Sequence, residues 1–250
     1  MNYQWSWSVF LELSPDGVHT YLQTLLMGAG WTIVLALCAS ICSVLFGSLL
    51  AILRTASSRS LNRMAMLYVE VFRNIPLLVQ MFLWFFVVPE LLPIALGDSL
   101  KQMPQPWGAF LPAWLCLAFY GSARMAEQIR AGIQSLPAGQ ARAGAALGLN
   151  EGQVYRYVIL PQAFRIVIPP LTSELIGTVK YSSVALTIGL LELTGQARSM
   201  QEYSFHIFEA FSAATLGYLA INGLIVLSMR TIERRVAVPG LLGVAGAKAH

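Results

Sequence analysis

Residues 25–53 read LLMGAGWTIVLALCASICSVLFGSLLAIL, 29 positions without one charged side chain. About 20 apolar residues are enough for a helix to cross the hydrocarbon layer. The run predicts a tilted membrane-spanning helix and identifies the solvent in which the rest of the chain has to be read. The composition agrees: of 250 residues 56% are hydrophobic and only 11% charged, with a mean hydropathy of +0.63. A soluble domain carries about 25% charged residues. This chain lacks the charged surface a soluble enzyme needs, and it is too apolar for intrinsic disorder. The net charge of +4 comes without a basic run or basic–aromatic interleaving, which excludes nucleic acid as a partner and points to basic cytoplasmic loops.

Outward from that run the sequence predicts a single all-α integral membrane domain over residues 1–250 with five transmembrane helices, at about 22–53, 64–88, 107–130, 163–190 and 210–232. Pro76, just after Arg73 and Asn74, predicts a kink or break in the second. In the fourth, the pair Pro169 and Pro170 predicts a kinked helix, then a break around residues 180–183, then a short second helical piece. The first basic residue in the chain is Arg54. Arg54, Arg59, Arg63, Arg130, Arg142, Arg156, Arg165, Arg230, Arg234, Arg235 and Lys248 fall on one side of the five spans, and only Lys101 and Arg198 on the other. An eleven-to-two bias predicts an outside N-terminus and a cytoplasmic C-terminus. Residues 1–10 contain no Lys or Arg, so no cleavable signal is expected. Residues 2–21, with Trp5, Trp7, Phe10 and Leu11, suit the outer interface, and the Gly/Ala-rich tail after Pro239 is expected to be disordered. Cys38, Cys42 and Cys116 lie in apolar stretches and read as small hydrophobes. His19, His206 and His250 are scattered, so no catalytic or metal-binding set is visible.

The loop at about 134–160 is too polar to be buried. Pro137 and Gly139 mark a turn. A segment rich in small residues follows, with Gly148 placed to stop a helix and Asn150 placed to cap the next turn. On its residues alone it is either an ordinary connection or a short helix that docks into a partner's groove.

Residues 139–149, GQARAGAALGL, and residues 158–165, VILPQAFR, are similar to the cytoplasmic loop of ABC importer permeases. That pattern runs Glu-Ala-Ala, three residues, Gly, nine residues, an aliphatic, one residue, Leu-Pro. Gly148, Val158, Leu160 and Pro161 keep its spacing, while Arg142, Ala143 and Gly144 stand at Glu-Ala-Ala, so the acidic residue is lost. YVEVFRNIPLLVQ at 68–80, EQIR at 127–130 and KYSSV at 180–184 resemble motifs of the polar amino acid subfamily, and PELLP at 89–93 looks most like the glutamate/aspartate permeases. The resemblance covers about residues 22–235.

The resemblance implies a type I ABC importer permease fold in the bacterial inner membrane with a cytoplasmic coupling helix. It also implies a subunit with no chemistry of its own. Its partners are cytoplasmic ATPase subunits, a second permease subunit (expected to be a different chain, an identical one left open), a periplasmic amino acid-binding protein and an amino acid substrate. Coupling to the ATPase falls on Gln140, Arg142, Ala143, Gly144, Leu147, Gly148, Leu149, Leu160 and Pro161. No phosphate-binding Gly-x-x-x-x-Gly-Lys-Ser/Thr loop is present, so no cofactor is expected in this chain and ATP with Mg belongs to the ATPase. Two rival readings are a permease for another polar or basic amino acid and a stand-alone channel or secondary carrier. The last needs an inverted repeat or a second half, and neither is visible.

Charges at membrane depth are costly, so each is a site candidate, and the substrate pathway is expected at Arg73, Asn74, Glu174, Lys180, Ser182 and Ser183. Lys180, beside Ser182 and Ser183, either holds a substrate carboxylate at the broken helix or is structural, snorkelling outward or pairing with a carboxylate such as Glu174. Arg73 and Asn74 either line the substrate pathway or, through Glu70, form an intrahelical i, i+3 pair. Arg124 and Glu127, also i, i+3, read as a structural pair. Pro76, Pro169, Pro170, Gly177 and Gly189 suit either backbone compliance or close helix packing.

Overall fold

The computed structural model describes Tyr3, residues 5–55 and residues 58–236. The tail after Pro239, with Lys248 and His250, lies outside the described residues. The fold is almost wholly helical. Helix α1 (Tyr21–Thr55) contains no proline and no charge before Arg54, so nothing in it interrupts the backbone ladder. Its exposed Leu26, Leu37, Ile41, Leu45, Phe46 and Leu49 form a lipid-like outer surface. With α9 (Ile207–Val236) it makes two helices long and apolar enough to cross a membrane.

Helix α5 (Trp107–Gln134) is long enough to span but less apolar, because it lies inside the bundle. Ala109, Ala113, Cys116, Leu117, Ala118, Gly121, Ser122 and Ala123 are buried on it. Its partner is mainly α1, approached closely where Gly121 meets Ser43 and Gly47 meets Met125 and Ser122; a side chain at either glycine would collide with those atoms. The Ser43 hydroxyl, fully buried, donates to the carbonyls of Leu117 and Ala118 at 3.4 and 3.2 Å. Cys116 is buried, and Cys38 and Cys42 are half-buried free thiols.

The stretch expected as the second span, kinked or broken at Pro76, is two helices, α2 (Arg59–Asn74) and α3 (Leu77–Leu91), bent by 103° at Ile75 and Pro76. The break falls where proline predicts it, but its size means that α2 does not continue the path of α3. Pro76 has no N–H to give, and the buried Gln80 makes up the loss, its side-chain amide donating to the carbonyls of Phe72 and Ile75 at 2.8 and 2.9 Å. Helix α3 opens into a π-type turn at Leu83–Val87, closed by Val88 N–H to Leu83 C=O, just ahead of Pro89. Helix α4 (Ile94–Lys101) folds back, tied by Lys101 to Glu90 at 2.7 Å.

After α5, the short α6 (Ala138–Ala146) leads into a continuous helix α7 (Glu151–Ile188). A second π-type turn, Tyr155–Ile159, precedes Pro161, and Pro169 and Pro170 lie within unbroken helix. The break expected at residues 180–183 is absent. There the Ser182 and Ser183 hydroxyls donate to the carbonyls of Val179 and Lys180, at 2.8 and 2.7 Å, and the helix tightens to 3₁₀ over Ser182–Ile188. Gly189 (φ +91°) ends it, and the chain bends by 48° into α8 (Leu193–Ser204). If each bent pair is one span, the number of candidate spans rises from two to four.

Two buried carboxylates fasten these parts. Glu192 caps α8 through Thr194 N–H and Gly195 N–H and receives Thr32 of α1 and Tyr218 of α9, at 2.7–3.2 Å. Glu209 receives the Tyr3 hydroxyl and Ser6 N–H, which holds the N-terminal segment on α9. Trp5 and Trp7 stack at 5.4 Å and stay about half exposed, as an interfacial segment requires.

Candidate translocation and coupling sites

A glutamate inside an apolar helix must find a cation or neutralise. At three and four positions either side of Glu174 the helix offers only Leu171, Pro170, Gly177 and Thr178. Its partner is therefore on another helix: Arg124 of α5 grips both carboxylate oxygens, Nε to Oε2 at 2.8 Å and Nη2 to Oε1 at 3.1 Å. The side chain of Glu174 is 8% exposed and that of Arg124 36%, so the guanidinium is the open side of the pair. Tyr120, one turn before Arg124, and Tyr181, two turns after Glu174, stand edge to face at 5.6 Å. The guanidinium carbon lies 5.8 and 5.9 Å from their ring centres, in cation–π range. The result is an ion pair in an aromatic corner, with one cation facing outward.

This corrects one expectation and removes one open alternative. Arg124 does not pair with Glu127, nor Lys180 with Glu174. Lys180 is exposed and takes part in no ion pair among the described residues. Ser182 and Ser183 spend their hydroxyls on the backbone. The i, i+3 rule chose the wrong partner because it weighs only neighbours on one helix. The observation that Glu174 has no base within one turn is the signal that finds Arg124, and Tyr120 and Tyr181 carried no separate signal.

Glu127 has a different setting. Arg54 from the end of α1, Arg130 one turn on (2.8 Å) and Arg73 from the end of α2 (3.7 Å) converge on its carboxylate. Arg73 therefore turns to α5 rather than to Glu70, and the side chain remains 49% exposed. Asn74 is exposed at the last position of α2.

The expected coupling segment is a separate projecting element. Pro137 precedes α6, and Gly148 (φ +82°) reverses the chain after it, a conformation that side chains other than glycine adopt at about 1–2 kcal/mol. Asn150 then caps the start of α7 in a reciprocal box with Gln153. Gly144 is buried against Val154 and Val158, where a methyl group would sit 3.1 Å from Val154. Leu149 and Leu160 are half-buried, and Leu149 belongs to the small core below α6. Gln140, Arg142, Ala143, Leu147 (83% exposed), Gly148 and Pro161 face outward. A short helix is thus held out on a packed base with its small-residue face free.

A bundle of apolar helices with paired charges inside and a short exposed helix held outside it is the build of a membrane-embedded transport subunit. The chain belongs to the family described as the binding-protein-dependent transport system inner membrane component, which matches residues 43–238, and it is accordingly an ABC importer permease. It is 47% identical to the glutamate/aspartate import permease protein GltJ of Escherichia coli K12 over 97% of this chain and 99% of that one. It is 32% identical to the glutamine transport system permease protein GlnP of the same organism over 94% and 99%. Among solved structures, an amino acid ABC transporter crystallised with histidines matches with a TM-score of 0.74 and 32% identity, over 86% of this chain and 95% of that one. The inward-facing MetNI methionine transporter shares the fold at 21% identity, with a TM-score of 0.65 over 90% and 100%.

Proposed function

We propose that this chain is a permease subunit of an ATP-driven importer carrying glutamate and aspartate across the bacterial inner membrane. The observation that carries the reading is the 47% identity with a glutamate/aspartate permease across nearly the whole of both chains. The site supports it. The outward side of the Arg124–Glu174 pair offers a guanidinium to a carboxylate. Lys180, exposed and free of an ion pair, and Ser183 extend the route on α7, and Arg73 and Asn74 extend it from α2. Five crossings, by α1, α3, α5, α7 and α9, put the N-terminus outside and α6 in the cytoplasm with the basic residues, as the positive-inside rule asks. Half a pathway calls for a second permease subunit, different or identical. The outward face of α6 docks on an ATPase, which binds ATP and Mg, and a binding protein delivers the amino acid from the periplasm. Solute and ATP act by favouring one of two access states.

Reconstitution with the cognate ATPase, second permease and binding protein tests this. ATP-dependent uptake of labelled glutamate should be competed by aspartate and not by glutamine or arginine. The buried Glu174 favours one rival, a permease for a basic amino acid, and equal competition by arginine would establish it.

A further inference from the structure

Helix α2 has three faces. Ala65 and Val69, fully buried, and Phe72 pack inward, Val69 against Ala123 and Ala126 of α5. Met64, Leu67 and Val71, spaced by three and four residues, form an apolar stripe that is 68%, 64% and 43% exposed. Arg59, Arg63, Glu70 and Asn74, spaced by four, seven and four, form an exposed polar stripe beside it. A spanning helix meets hydrocarbon on its outer side and carries no such basic stripe. A helix in water does not expose three large apolar side chains in a row. An apolar stripe next to a basic one belongs to a helix lying in the plane of the membrane surface.

The surroundings give the direction. The 103° bend sets α2 across α3 instead of in line with it. The rings of Tyr68 and Phe72 reach Phe119 of α5 at 6.3 and 5.6 Å, the ring that Trp84 of α3 meets at 4.9 Å. That side of α2 therefore looks into the embedded bundle, and the helical spacing puts Arg59 and Arg63 on the opposite side. The cluster of Arg54, Arg73 and Arg130 around the single Glu127 leaves cationic excess close by.

We propose that α2 lies in the cytoplasmic interface of the bilayer, with Met64, Leu67 and Val71 in the acyl boundary and Arg59 and Arg63 on the phosphates of anionic phospholipids. A free phosphate has the same chemistry as the headgroup, but the stripe is open and has an apolar neighbour that only a lipid can cover, so the lipid is the occupant. The inference needs the chain to be embedded in a membrane; it does not need the solute to be an amino acid, and it is read without solute or ATP.

The experiment uses the full-length chain in phosphatidylcholine vesicles containing spin-labelled phosphatidylglycerol or spin-labelled phosphatidylcholine. The wild type should hold the anionic lipid in preference, and added salt should weaken it. Arg59→Gln and Arg63→Gln should each lower the preference about fivefold, whereas Arg59→Lys and Arg63→Lys should keep it. An unchanged preference in the double glutamine variant overturns the proposal, and so does displacement of the lipid by inorganic phosphate. A second measurement guards against misfolding of the arginine variants: a nitroxide on Met64→Cys should meet oxygen more readily than a water-soluble nickel complex. The reverse order means that α2 stands in water. Shielding from both means that a protein covers the face. Either result overturns the placement.

Discussion

Glu174 and Glu127 are both glutamates held by arginines in one bundle, and they are held in opposite ways. Glu174 meets one guanidinium through two parallel bonds, is almost fully buried, and balances its partner charge for charge. Glu127 meets three guanidinia from three places in the chain, and those side chains range from 14% to 49% exposed. A single bidentate pair suits low dielectric, where an uncompensated charge is very costly. A surplus of cation is tolerated only where water or lipid phosphate can share it. Charge balance thus follows burial: the neutral pair sits inside the bundle, and the surplus sits where the guanidinia are more open.

Glu174→Gln tests that contrast most severely. Breaking a buried pair costs about 3–5 kcal/mol, and the partial exposure of Arg124 reduces this to about 2–3 kcal/mol. Thermal unfolding of the purified protein should show the loss, and uptake should fall at least about tenfold if the pair contacts solute. A stable Glu174→Gln protein would end the distinction between the two sites. Glu127→Gln leaves three guanidinia without their shared carboxylate, but solvent screens them. About 1 kcal/mol is expected, recovered in part by high salt, which screens the repulsion among the more open guanidinia and leaves a buried pair largely unaffected. A loss insensitive to salt would place Glu127 in the interior as well. Lys180→Ala should cut uptake while shifting stability by no more than about 0.5 kcal/mol, and unchanged uptake in vesicles would remove Lys180 from the route. Arg73→Gln takes away the most distant and most exposed arm on Glu127, so about 0.5 kcal/mol or less is expected from chemical unfolding.

The two glutamates also measure what could be read from the chain. The spans at α1 and α9 are legible because hydrocarbon imposes a continuous apolar run and nothing local competes with it. Helix α5 is legible from its length, although its small and polar side chains reflect contact with other helices rather than with lipid. The Arg124–Glu174 pair joins positions 50 apart, and nearest-neighbour spacing offers Glu127 to Arg124 at once. The choice was made by packing of α5 against α7, for which the sequence has no local mark. Proline was equally ambiguous: Pro76 marks a sharp break, whereas Pro169 and Pro170 leave α7 unbroken. The difference lies in Gln80, whose amide serves the carbonyls freed at the first site. At residues 180–183, two serine hydroxyls turned an expected break into a tightened helix. The projecting α6 segment is the most legible part outside the long apolar helices, since Pro137, Gly148 and Asn150 act on their own backbone and need no distant partner.

The π-type turn at Tyr155–Ile159 has a consequence for how this subunit can change over time. Closing Leu160 N–H on Tyr155 C=O takes one residue more than the α-helical ladder uses. Removing any one residue there would restore ordinary winding and leave the two flanks of α7 in their present alignment, because the wide turn already takes up one extra residue. One residue more, which a turn already widened has no slack to absorb, would instead turn everything before it by about 100° about the axis of α7 and point the base of α6 in a new direction. The stretch is therefore asymmetric toward changes of length: it can lose one residue without re-aiming α6, but it cannot gain one.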